Sequence, residues 1–202
     1  MDHESPVYLP QLPVPGEDRY ASLALVNTRF TVSHGRVDLL DGTEAAHLWL
    51  VRHGLLPDRV TLNGRQSGRL LALREALRTL FRARADGTRP PADALDTLNA
   101  TLAAAPRHPR LAWTADGPHR ADVPDSGNPA AAALSQLAED AADLLTGADA
   151  AQLTECAAQG CARWFLRSHG ARRWCTTKCG NRVRAARAYA ARKAGSPEKH
   201  LP

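Results

Sequence analysis

Four cysteines fall within 24 residues, in the order Cys156-x4-Cys161-x13-Cys175-x3-Cys179, and the chain of 202 residues has no others. Thiolates suit a tetrahedral ion, and two short-spaced pairs let each pair form a knuckle around one structural Zn2+. Disulfides, a redox pair or unrelated core cysteines are the alternatives. No C-x-x-C is present. The acidic, proline-rich start MDHESPVYLPQLPVPGEDRY has neither the basic nor the apolar region of an export signal, so a reducing cytoplasm is expected. That compartment favours zinc. Four cysteines complete the shell and leave no open position for hydrolytic chemistry. His169 is a rival ligand by type, but it sits in a turn between the pairs, where exposure or a nearby phosphate is expected.

Arginines crowd around and after the second pair. Residues 156–194 hold ten Lys and Arg and no acid, whereas residues 1–155 hold fifteen basic and twenty acidic residues, a balance of −5. An acidic body with a basic end is the asymmetry of a chain whose one end meets a polyanion. A helix from about Cys179 to Ala194 places Cys179, Val183, Ala186 and Ala190 on one narrow apolar stripe, ready to pack on the aromatic residues between the cysteine pairs. Arg172, Arg173, Lys178, Arg182, Arg184, Arg187, Arg192 and Lys193 are the candidate nucleic-acid contacts, through phosphates and, in the first turn, base edges. Gly180 and Asn181 are expected to brace the junction of metal loop and helix, although asparagine at that position can also read adenine.

These chemical groups need elements to hold them. Between the pairs, Trp164-Phe165-Leu166 and Arg172-Arg173-Trp174 flank a Ser-His-Gly-Ala turn, which predicts a hairpin and hence a treble-clef-like finger closed by the basic helix. So short a module needs the metal in place of a core. Upstream, TEAAHLWLVRHGLL predicts a helix N-capped by Thr43, with Ala46, Leu48, Leu50 and Val51 inward and Gly54 as its stop. GRLLALREALRTLFRARADG is the strongest periodic segment, with Leu70, Leu73, Leu77, Leu80 and Phe81 on one face. PADALDTLNATLAAAP and NPAAAALSQLAEDAADLLTG predict two more helices. PRLAWTADGPHRADVP predicts a β-hairpin around its Asp-Gly turn signal. YASLALVNTRF fits a short helix or a buried strand, and RVDLLDG a short strand and turn. The expected fold is α+β, mainly α: a disordered segment over 1–18, a helical domain with a small β-hairpin over 19–149, the finger over 150–195 and a flexible tail over 196–202.

The pattern C-x4-C…FL…S…RRWC-x3-CGNR resembles the CGNR zinc-finger family of bacterial proteins, with its name motif intact at Cys179, Gly180, Asn181 and Arg182. LALVNTR, VDLLDG and LREALRTLF resemble the ABATE domain that usually precedes this finger. The resemblance implies zinc at Cys156, Cys161, Cys175 and Cys179, DNA contact by the arginines after the motif, and a role in stress-associated transcription regulation. Two departures are visible. Arg167 stands where the family often has an acidic residue, and three residues rather than four separate the last cysteine pair.

A regulator is expected to carry a sensing or oligomerising body. Asn27, Arg74 and Arg78 are the first candidates for an effector pocket; alternatively Asn27 makes a turn or cap bond and the arginines form a solvated face. H-E-x-x-H, G-x-S-x-G, Walker and dinucleotide glycine patterns are absent, so no enzyme is expected. No apolar run approaches membrane-spanning length. The expected partners are DNA, a small-molecule effector and a second copy, since one finger offers too little contact for tight binding. The expected location is cytoplasmic, at the nucleoid. The competing functional class is an RNA- or protein-binding module using the same finger.

Overall fold

The long periodic helix anchors the body. In the computed structural model, which describes residues 13–32, 35–124 and 127–194, it forms α3, Gly64–Asp86. Asn63 caps it reciprocally with Gln66, and Gly87 ends it in the left-handed conformation at φ 66°; both are the devices expected at helix ends. Leu70, Leu73, Leu77, Leu80 and Phe81 are all buried, as their spacing requires. Before it come α1 (Ala21–Val26), an antiparallel pair β1 (Arg29–Val32) and β2 (Gly35–Asp38), and α2 (Thr43–Arg52). After it come α4 (Ala92–Ala103), the hairpin β3 (Arg107–Thr114) and β4 (Gly117–Pro124), and α5 (Pro129–Thr146). Helices α1, α2, α4 and α5 surround α3 in one aliphatic core. The fold is α+β and mainly α.

Two expectations on α2 change. Its N-cap is Gly42 and Thr43 makes no capping bond. Leu48 is 55% exposed rather than inward, because the buried stripe runs through Ala46, Trp49 and Leu50. Trp49 fills the space that Leu48 was expected to take.

The N-terminal segment differs more. Residues 1–12 lie outside the described residues, as does the expected tail 196–202, but 13–18 are folded. Val14 is buried beside Cys156, Phe165 and Cys175. Gly16, at φ 100°, passes so close to Leu166 and Leu23 that an added Cβ would lie 2.7 Å and 2.9 Å from their side-chain atoms. Prolines limited the sequence reading here: they exclude helix, but they do not exclude an extended strap.

The terminal module begins with a 3-10 turn (Ala148–Gln152), then β5 (Leu153–Glu155), β6 (Trp164–Leu166) and α6 (Thr177–Ala194). β5 and β6 pair antiparallel, Leu153 opposite Leu166. The hairpin therefore encloses the first cysteine pair, whereas the spacing suggested one between the pairs. The segment after β6 instead makes a turn, with the Arg172 N–H donating to His169 O at 3.0 Å.

Candidate metal centre and nucleic-acid interface

Each cysteine reaches the centre from a different piece of backbone. Cys156 directly follows β5, with its N–H bonded to Arg163 O at 2.9 Å, and the Cys161 N–H closes the knuckle on Ala158 O at 2.9 Å. Cys175 lies on the return, its N–H 3.3 Å from Cys156 Sγ. Cys179 sits in the first turn of α6, its N–H donating to Thr176 Oγ1 at 3.3 Å. The four sulfurs lie within 4.8 Å of one another, with Cys161–Cys175 at 3.8 Å and Cys175–Cys179 at 3.7 Å. A disulfide needs about 2.05 Å. A tetrahedron of thiolates about 2.3 Å from a central ion has edges of about 3.8 Å. The donor set therefore fits one metal ion and no disulfide. His169 is exposed and outside the cluster.

The thiols also press on one another electrostatically. Hydrogen bonds from Cys161 and then Cys175 pull Cys156 down to about 2, while Cys161 is pushed up to about 12, chiefly by Cys156. Cys175 is pushed up as well, by Cys156 and then Cys161. A dication among them would let all four ionise.

The motif after the metal has a division of roles that the residue types alone did not reveal. Gly180 is buried against Trp174: a Cβ there would lie 3.2 Å from the indole and 3.3 Å from the Arg184 guanidinium. Arg184 stacks over Trp174 at 5.8 Å and donates to Asn181 Oδ1 at 2.5 Å. Arg182 donates across the finger to Gln159 O at 3.1 Å and lies 4.0 Å from Cys179 Sγ. Arg182 is thus a brace that ties helix to first knuckle, and Asn181 is exposed four residues into α6. The Arg182 contact departs from its expected place on a nucleic acid, whereas Asn181 keeps a bracing role by holding Arg184 over Trp174. Arg172 is also structural: it donates to Trp174 O at 3.2 Å and Cys175 O at 3.0 Å and lies over Phe165.

Arg173, Lys178, Arg187, Arg192 and Lys193 are exposed. The expected apolar stripe of α6 stops at Val183, which packs on the finger core; Ala186 and Ala190 are exposed along with every residue from 184 to 193. Two alanines bury too little area to hold a helix face down, so the last turns stand clear of the protein.

The three effector-pocket candidates turn out to be fastened to protein. Asn27 Oδ1 accepts from Trp164 N–H at 2.7 Å, and its Nδ2 donates to Trp164 O at 2.8 Å and to Glu17 Oε1 at 2.7 Å. It borders a cavity of about 400 Å³, but its amide is already used. Arg74 is buried, bonded to Asp38 at 2.5 and 2.7 Å and to Thr28. Arg78 donates to Val26 O at 2.7 Å and Ala162 O at 3.1 Å, clamping the end of α1 to the finger. Neither a shared pocket nor a solvated face describes them. Glu17 and Arg163 were missed altogether. They pair at 3.2 Å, both largely buried, and nothing in the spacing of residues 146 apart marks such a pair.

Comparison with known families follows the same division. Residues 20–148 match the ABATE model, described as "Putative stress-induced transcription regulator", and residues 152–193 match the CGNR zinc finger. The chain belongs to the ABATE family and carries a CGNR zinc finger. No curated protein matches it. The four letters of the finger's name now have physical content here: a metal ligand, a glycine that admits Trp174, an asparagine that holds Arg184, and an arginine that ties the helix to the first knuckle.

Proposed function

We propose that this ABATE protein is a transcription regulator that binds DNA through α6, with Zn2+ as the ion in the four-cysteine site. One observation carries the reading: an acid-free helix whose last ten described residues before Ala194 are exposed, anchored at its first turn by a metal site. Lys178, Arg187, Arg192 and Lys193 supply charge for phosphates, and Asn181, exposed near the start of α6, has its amide nitrogen to offer a base edge while its oxygen holds Arg184. Ala186 and Ala190 let the helix approach a groove closely. Arg173 extends the basic surface from the adjoining turn. Such a protein would work at the nucleoid in the cytoplasm, with the body as sensor or oligomerising platform. The family description supports regulation under stress, and the absence of known catalytic motifs favours a regulator over an enzyme.

Single-strand stacking has less support. Trp164 and Phe165 are fully buried and Trp174 is covered by Arg184, so among the described finger residues Tyr189 of α6, 67% exposed, is the large ring left to solvent, and a single ring makes a poor stacking platform.

The test is binding of the zinc-loaded full chain to promoter and bulk DNA across a salt series. Each lost phosphate contact should lower the log–log salt slope by about 0.9. Arg187→Ala and Lys178→Ala are expected to do this with metal content unchanged. Equal affinity for promoter and bulk DNA at moderate salt would sink the regulator reading.

A further inference from the structure

On one face of the β3–β4 ribbon two large apolar side chains stand exposed among the described residues. By register, Pro109, Leu111 and Trp113 share one face with Arg120 and Pro118. Leu111 is 76% and Trp113 75% exposed. A two-stranded ribbon is marginal in water without something packed on it, and apolar residues so displayed mark an interaction surface. Edge pairing with another strand is disfavoured: Pro109 in β3 and Pro118 in β4 have no N–H to offer. The partner should therefore pack on the face.

A matching hollow lies at the ribbon's base. Helices α3, α4 and α5 leave a groove of about 340 Å³ walled by Ala72, Ala100, Ala104, Ala131 and Leu134. Small residues at the meeting of three helices leave the space. Its size is at the lower end of the ~300–1,000 Å³ of small-ligand sites, ample for an indole. Arg69 stands on its rim, exposed and without a partner among the described residues, and Asp116 in the ribbon's turn is likewise exposed and unpartnered among them.

We propose that two copies of this chain exchange ribbons, each inserting Trp113 and Leu111 into the partner's α3–α4–α5 groove, with Asp116 pairing with Arg69 across the interface. One chain carries both the apolar knob and the hollow that would receive it, with opposite charges at their margins. A reciprocal exchange closes after two copies, giving a two-fold dimer with two identical contacts. A buried tryptophan in a pocket is the usual energetic anchor of such contacts. The proposal stands apart from the DNA reading, since neither ribbon nor groove belongs to the finger.

Sedimentation of the metal-loaded full chain at ~10 µM, well above the Kd of a stable dimer, tests it. Wild type should be dimeric. Trp113→Ala, which removes the knob, and Ala100→Trp, which fills the groove from an exposed helix position, should each be monomeric with unchanged far-UV circular dichroism. Mixing these two variants should restore a weaker dimer, because one knob and one groove remain intact. Asp116→Arg and Arg69→Asp should each weaken the dimer and together restore it. A monomeric wild type would overturn the proposal, as would an Ala100→Trp dimer as tight as wild type, which would mean ribbon packed on ribbon. So would a monomeric wild type whose DNA affinity falls with Trp113→Ala, which would make the ribbon a nucleic-acid contact.

Discussion

Arginine does two different jobs in this chain, and the protein groups it holds separate them. Arg74 lies almost wholly inside, where its charge is tolerable only because Asp38, Glu75 and Thr28 receive it. Burial alone would raise the Asp38 pKa, but the Arg74 hydrogen bonds overturn that and hold it below the ordinary carboxylate value. A carboxylate with a depressed folded-state pKa contributes stability above its unfolded pKa and loses it as pH falls through the folded value. Asp38→Asn should therefore cost about 2–3 kcal/mol near neutral pH. The difference from wild type should shrink as pH drops below the unfolded carboxylate pKa of about 4. Urea unfolding at several pH values measures this; a difference constant with pH would refute the assignment. Arg182 belongs to the same structural kind. Its contact with Gln159 O links helix to knuckle, so Arg182→Ala should loosen the metal, seen as faster metal transfer to a chelator, whereas Arg187→Ala should leave that rate unchanged.

At the scale of elements, β6 explains most of what holds the finger to the body. Its three residues point alternately into two cores: Trp164 and Leu166 into the helical body, Phe165 into the metal module. One edge pairs with β5. The other has no strand among the described residues, so its backbone is satisfied piecemeal, Leu166 N–H by Pro15 O and both polar groups of Trp164 by the Asn27 amide. Asn27 acts as one residue's worth of missing strand. Asn27→Ala would leave a buried N–H and C=O unpaired at about 1–3 kcal/mol each, so a loss of about 3 kcal/mol is expected in denaturant titration. A loss below ~0.5 kcal/mol would show that water replaces the amide.

What could be read from sequence follows the range over which each interaction acts. Helices α3, α4 and α5, the β3–β4 hairpin and the ligand set depend on neighbours a few residues apart, and their periodicity or spacing records them. Asn27 was visible as a polar residue in an apolar run, but its partner stands 137 positions away. The apolar run 164–166 was seen, yet its strand partner was misplaced, because β5 is only three residues long and carries no alternation. For α6, counting alanines as apolar overstated a face that buries almost nothing beyond Val183.

At the scale of the whole molecule, sequence and structure disagree about independence. A basic finger with its own metal invites the view of a separable module, in which Cys175→Ser would unfold the end and spare the body. The contacts argue otherwise. Trp164 is buried against Phe81 of α3, Arg82 of α3 pairs with Glu155 and lies over that same indole, and Val14 and Glu17 run from body to finger. Releasing the metal frees Cys156 and Cys175 and with them the register of β6, which takes the largest buried aromatic residue out of the body's core. Removing such a residue costs about 3–5 kcal/mol, and at about 2–4 °C per kcal/mol for a domain of this size the body's Tm should fall by about 10 °C. Calorimetry of the metal-loaded chain should therefore show one transition, and Cys175→Ser or chelation should move the body's melting down with it. Two transitions, with the body's unshifted by chelation, would mean that the contacts through β6 carry no cooperativity and that the finger melts alone.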